Sequence, residues 1–185
     1  DIIKALQLTP GVSTGTEGLT GFYVRGGNMD ENLFQIDGNP VYQVNHLGGL
    51  FSAFNPEAVR GIEFYKAGFP ARYGGRLSSV VDVHTREGNM NKFQGSITVG
   101  LISGNLNLEG PIVKDKTSFA VSLRRSWLDI LSISTLAIIN KRDEKYGMKN
   151  LFRYAFHDLN LRLNHKFNEK SRLHFSIYNG KDHLN

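Results

Sequence analysis

Two hydrophobic patterns divide the chain. Beyond residue 92, apolar and other residues alternate with a period of two. Phe93, Gly95, Ile97, Val99 and Leu101 lie opposite Gln94, Ser96, Thr98 and Gly100. Leu106, Leu108, Gly110 and Ile112 lie opposite Asn105, Asn107, Glu109 and Pro111. Phe119, Val121, Leu123, Arg125 and Trp127 oppose Ala120, Ser122, Arg124 and Ser126. Leu159, Leu161, Leu163, His165 and Phe167 oppose Asp158, Asn160, Arg162, Asn164 and Lys166, and Leu173, Phe175 and Ile177 oppose His174, Ser176 and Tyr178. Successive side chains of a strand point to opposite faces, so this predicts five strands of about ten residues each.

The first half reads differently. A short helix is expected at the start, with Asp1 as cap, Ile2, Ile3 and Leu6 as its face and Pro10-Gly11 as its stop. Strands follow at residues 22–25 and 33–36, separated by the polar loop 26–32; the second strand ends in the turn dipeptide Asp37-Gly38. Asn55-Pro56-Glu57 has the chemistry of a helix start, with Gly61 expected to end that turn. Strands at 62–65 and 79–83 flank a shaped connection carrying Gly68-Phe69-Pro70 and Tyr73-Gly74-Gly75. These elements predict an α+β unit over residues 1–88 and a β-strand unit over residues 89–185, joined by the polar segment 87–91.

Connection lengths sharpen the second half. Residues 113–117 and 168–171 are short links, whereas 128–152 is long. Tight turns at one end and long loops at the other suit an outer-membrane barrel whose first strand runs outward. The tight link near Ser103-Gly104 fits that scheme less well. Alternation alone describes a soluble antiparallel sheet with one buried face at least as well. The discriminating feature is the polar face, whose Asn, Arg, Asp and Lys residues suit a wet lumen opposite a continuously apolar surface.

Composition removes several alternatives. The formal charge is +5, but the cations are dispersed, and residues 141–149 mix Asp143 and Glu144 among the lysines and so read as a solvated loop. No basic stripe with interleaved aromatics points to nucleic acid. Cysteine is absent, and the six histidines show no metal-ligand spacing. His157-Asp158 reads as a lumen or rim pair, and no catalytic motif or cofactor loop emerges. The longest apolar stretch, 130–139, is interrupted by Ser132, Ser134 and Thr135 and is too short to cross a bilayer as a helix. The chain starts at Asp1 without a signal segment and reads as a mature or excised piece.

The order of motifs resembles the plug domain of TonB-dependent outer-membrane receptors. The elements are Leu8-Thr9-Pro10-Gly11-Val12, Val24-Arg25-Gly26-Gly27, Ile36-Asp37-Gly38-Asn39-Pro40, Asn55-Pro56 through Ile62-Glu63, then Lys66 and Tyr73-Gly74. Ala67-Gly68-Phe69-Pro70, Arg76-Leu77-Ser78-Ser79 and Leu108-Glu109-Gly110-Pro111 are similar to the Bacteroidota branch. The resemblance implies most of a plug followed by roughly the first five strands of a transmembrane barrel of about 22 strands.

It also implies roles. Arg25 and Lys66 would lock the plug to barrel carboxylates beyond Asn185; Gly26, Asp37, Gly38, Glu63, Tyr73 and Gly74 would carry the plug motifs, Glu63 pairing with a local cation. The plug apices, near 13–19 and 44–50, would meet solute, with Tyr42, Asn45 and His46 as candidate contacts. Trp127, Phe167 and Tyr178 are candidate membrane-interface aromatics. The implied function is binding and import of a scarce solute across the outer membrane of a Gram-negative bacterium. Energy would come from TonB, with the ExbB/ExbD complex, through a segment before Asp1. Outer-membrane lipid, an unidentified small solute and a surface lipoprotein are the other implied partners, and no enzyme activity or cofactor is expected. The competing reading is a soluble β-rich module that binds carbohydrate on Trp127 and the tyrosines.

Overall fold

In a computed structural model the described residues are 2–14, 21–132 and 154–184. The first half is built on a mixed four-stranded sheet. Its strands are β3 (Asn32–Ile36), β4 (Asn39–Pro40), β7 (Val59–Tyr65) and β8 (Ser79–Thr85), in the order β4-β3-β8-β7. β3 runs parallel to β8, and β7 runs antiparallel to it. Two small ribbons accompany this sheet: β1 (Val12–Ser13) with β2 (Tyr23–Val24), and β5 (Asn45–His46) with β6 (Phe51–Ser52).

Helix α1 (Ile2–Gln7) lays Ile2 and Ile3 on the core, as its apolar spacing predicts. There they join Phe22, Val24, Phe34, Ile36, Phe54, Val81 and Val83. The Phe22 and Phe34 rings meet edge to face at 5.3 Å, a favoured geometry for aromatic pairs. The Asp1 cap and most of the 13–19 apex lie outside the described residues.

Turn chemistry behaves as its residues dictate, with one exception. Asp37 and Gly38 both adopt positive φ, 49° and 82°, and reverse the chain between β3 and β4, as a two-residue hairpin turn requires. Asn55 caps a 3-10 turn over Pro56–Ala58, accepting the Glu57 amide at 3.2 Å. Gly61 does not end that turn. The turn closes at Ala58, and Gly61 sits inside β7 where the register with β8 shifts. A glycine within a strand commonly marks such a bulge.

The second half is one antiparallel meander. β9 (Gln94–Val99), β10 (Ser103–Val113), β11 (Thr117–Ser126), β12 (Tyr154–Asn168) and β13 (Ser171–Leu184) lie side by side in chain order. All five predicted strands form, and the tight link between the first two falls at residues 100–102, closed by Gly100 N–H donating to Ser103 O at 2.9 Å. Two glycines in this sheet are roofed by aromatic rings. A Cβ on Gly110 would meet Phe93 at 2.3 Å, and one on Gly104 would meet Trp127 at 2.6 Å. Trp127 also donates its indole N–H to Leu101 O at 2.8 Å.

The two faces of the meander are opposite in kind. Ser118, Ser122, Arg124, Ser126, Asp158, Asn160 and Asn164 are buried against the first half. Ile97, Val99, Ile112, Leu123, Phe167, Leu173, Phe175 and Ile177 are exposed on the other side. A soluble sheet would bury the second set and wet the first. An aqueous partner inside and hydrocarbon outside demand the arrangement found. No helix among the described residues is long and apolar enough to cross a membrane, which says nothing of strands.

Candidate functional site

The plug-like half and the meander meet along a polar seam, held by side chains from both. At the end where β10–β11 and β12–β13 are joined by short turns, Glu87 O accepts from Ser118 Oγ at 2.9 Å and from Asn164 Nδ2. The connecting chain passes so close to β11 that a Cβ on Gly88, whose φ is +79°, would lie 2.3 Å from Phe119 O. Only glycine satisfies both constraints there. Beside it, Arg162 on β12 forms an ion pair with Asp37. Asp37 is held in place by the Thr85 hydroxyl at 2.5 Å and the Thr85 amide at 2.9 Å.

Midway along the seam, Asn55 donates to Ser122 Oγ at 2.8 Å while its carbonyl oxygen caps the 3-10 turn. Glu57 accepts from Asn107 Nδ2 at 2.5 Å. The seam is incompletely filled. A cavity of about 150 Å³ separates the layers, lined by Glu57, Asn107, Ser122, Asn160, Arg162 and Leu108 among others.

The densest cluster lies at the opposite end, beside the start of β12, where the long connection enters. His46 is 2% exposed. Its Nε2 lies 2.9 Å from Asp158 Oδ1, its Nδ1 hydrogen-bonds Asp182, and its ring stacks on Phe156 at 4.4 Å and 8°. Arg124 places Nη2 2.6 Å from Asp158 Oδ2 and donates to Ser52 O at 2.6 Å. The Tyr178 hydroxyl is 3.1 Å from Asp158, and the Leu47 amide donates to Tyr154 Oη at 2.7 Å. Burial by itself lowers the imidazole pKa, but hydrogen bonds to and charge on Asp158 and Asp182 outweigh it and raise it above 6.5.

The residues singled out in the sequence fall into distinct places. His46 is enclosed in this cluster, Tyr42 is 86% exposed, and Asn45, between them, has a buried Oδ1 without a hydrogen-bond partner. Lys66 donates to Pro10 O at 2.8 Å and lies over the Phe64 ring; Arg25 is exposed at φ 50°, its amide donating to Gly11 O at 2.9 Å. Glu63 pairs with Arg72 at 3.1 Å. The Tyr65 hydroxyl, donating to Glu63 at 2.7 Å, holds its carboxyl below the usual range. Tyr73 has a raised pKa, first from burial and then from donating to Asp82 at 2.8 Å. Gly26 takes φ +81°; in the Tyr73 turn it is Gly75, at φ +80°, that needs glycine's freedom, and a Cβ on Gly74 would meet nothing within 4 Å.

Two readings are corrected. His157 and Asp158 are not a pair: neighbours on β12, they point to opposite faces, His157 stacking on His183 at 5.3 Å while Asp158 turns inward. Tyr178 is not a membrane-interface aromatic; its hydroxyl reaches Ala53 O across the seam and Asp158 on the neighbouring strand. The pairings that the sequence does not show are Asp37 with Arg162, Arg124 with Asp158, and Asn55 with Ser122. Their one legible signal is the run of Asn, Arg and Asp on the polar face.

Residues 1–81 match the family described as the TonB-dependent Receptor Plug Domain. The fold of the whole chain is that of solved receptors. The siderophore receptor PirA from Acinetobacter baumannii is 20% identical, with a TM-score of 0.65 covering 100% of this chain and 29% of its own. The siderophore receptor PirA from Pseudomonas aeruginosa is also 20% identical, with a TM-score of 0.65 covering 98% of this chain and 32% of its own. The chain therefore spans about a third of the length of those receptors. Among curated proteins nothing matches the sequence. A plug-family match over residues 1–81, followed by a meander that buries its polar face on that unit, gives this chain the fold of the plug and adjoining barrel strands of the solved receptors it resembles.

Proposed function

We propose that the parent protein imports a scarce solute across the outer membrane of a Gram-negative bacterium, with the plug closing the barrel until mechanical work remodels it. The observation that carries this reading is the inverted polarity of the meander. Its buried side presents Asn, Asp, Arg and Ser to the plug, and its exposed side presents Leu, Ile and Phe. A seam of hydrogen bonds and ion pairs is suited to such work. Polar contacts can be exchanged for water as the plug shifts, whereas a dry apolar interface would resist hydration.

In this reading residues 1–88 form the plug and 89–185 the opening strands of the barrel. TonB, energised by ExbB/ExbD, would pull on a segment ahead of the plug. Arg25 and Lys66 remain available to carboxylates on barrel strands outside this chain. Tyr42 and Asn45 are the proposed solute contacts, on the same side as the long β11–β12 connection. A siderophore is one solute class the structural similarity suggests, and a surface lipoprotein of the Bacteroidota type would be an accessory. A soluble carbohydrate-binding module is not favoured, because Trp127 roofs Gly104 within the sheet and so large an exposed apolar face has no aqueous role.

The test is conductance of the intact receptor in planar bilayers with and without force on its N-terminus. Opening under force, closing on release and TonB-dependent solute uptake in cells are expected. A barrel equally closed in both conditions overturns the reading.

A further inference from the structure

Every charged or titratable group around His46 among the described residues can be counted. β12 contributes Asp158 and Tyr154, β13 contributes Asp182 and Tyr178, and β11 contributes Arg124. On its own ribbon His46 has Gln43 nearby, which donates to Asp182 at 3.4 Å. Asp158, 1% exposed, faces the ring at Nε2, and Asp182 faces it at Nδ1.

A neutral imidazole carries one N–H and one lone pair. With an ionised carboxylate at each nitrogen, the neutral ring would turn its lone pair on one of them. Only the doubly protonated ring donates to both. The charge count agrees. Asp158 and Asp182 supply two negative charges and Arg124 one positive charge, so the cluster balances only when His46 is cationic. A net charge left in so enclosed a place is costly.

From this geometry we infer that His46 is a proton-dependent latch: as the imidazolium it clamps the β5–β6 ribbon of the plug to β12 and β13 of the barrel, and on losing its proton it releases the ribbon. His46 is thus a positioning residue for the segment that includes Tyr42 and Asn45. Its effect on solute binding rests on the transport reading, but the latch itself does not. The direction in pH follows from the raised imidazole pKa. The latch's contribution is fully present below the free-imidazole value of 6.5 and is lost as pH rises through the higher folded value.

The experiment uses the intact receptor in nanodiscs, labelled with ¹⁵N-histidine, between about pH 6 and about pH 9. Ring-nitrogen spectra report the protonation state of His46, assigned by its loss in His46→Gln. Hydrogen exchange, corrected for its intrinsic rise with pH, reports opening of residues 43–53. Two protonated nitrogens at neutral pH are expected, with ribbon opening increasing as the ring deprotonates, on the order of tenfold for each unit of pKa elevation. His46→Gln removes the pH break. Should that variant fail to fold, Asp182→Asn serves instead: with one carboxylate gone the break moves to lower pH. A neutral ring at pH about 6.5, or a pH break unchanged in either variant, overturns the latch. Neither readout involves uptake, so such a failure leaves the transport reading standing.

Discussion

The plug sheet and the barrel meander solve the same problem with opposite materials. β8, at the centre of the plug, buries Val81 and Val83 against Phe34 and Ile36, and the hydrophobic effect holds that layer together. β12, at the centre of the seam, buries Asp158, Asn160 and Asn164 and leaves its leucines for the other side. In both strands successive side chains point to opposite faces, but β8 is buried on both of them. What differs is the medium beyond each face, and polarity follows the medium. The plug's own core is apolar, while its attachment to the barrel is made of groups that water can replace.

The largest expected effect tests whether the seam depends on paired charge. Arg124→Ala removes one of the two cations on buried Asp158 and the donor to Ser52 O, and should cost about 3–5 kcal/mol, read as a lowered unfolding midpoint of the intact receptor in detergent. If it proves neutral, the seam is hydrated more deeply than the burial of Arg124 and Asp158 indicates. Next, Ile177→Arg challenges the outward face. In a barrel it should cost about 2–4 kcal/mol and impair membrane assembly, whereas in a soluble sheet an exposed Arg would be harmless. Gly88→Ala probes the joint between the halves. A side chain forced against Phe119 O at positive φ should cost about 1–3 kcal/mol, seen as a lower thermal midpoint. Asn55→Ala removes both the cap and the Ser122 bond, for about 1 kcal/mol, read in the same unfolding assay. The smallest effect is at the rim. Arg60, 2.8 Å from Glu87 with an exposed side chain, should change stability by less than about 1 kcal/mol when replaced by Ala. A large loss there would mean that the linker is anchored by charge rather than by Gly88 and Glu87 O.

Much of the architecture could be read without coordinates because it depends on local rules. The five meander strands follow from alternation, and the Asp37-Gly38 reversal and the Asn55 cap follow from backbone preferences of single residues. Gly61 was harder, since ending a turn and bulging a strand draw on the same conformational freedom. The site was legible only in part. His46 stood out as a polar residue on an apical loop, which suggested solvent and ligand; its burial depends on Asp158 and Asp182, more than a hundred positions away. Asp37 was read as a turn residue, and nothing nearby announced Arg162, 125 positions on.

By itself the sequence determined which residues share a face, where the chain must turn, and that one stretch has plug motifs and another has barrel periodicity. These are consequences of backbone geometry acting over a few residues. The tertiary structure alone decided which polar groups meet across the seam, that the plug's Asp37 is held by a barrel arginine, and that a histidine on a loop closes between two carboxylates. Those pairings depend on how two sheets curve and stack. No local rule carries that information, because the free energy of each buried charge is set by a partner that only folding brings near.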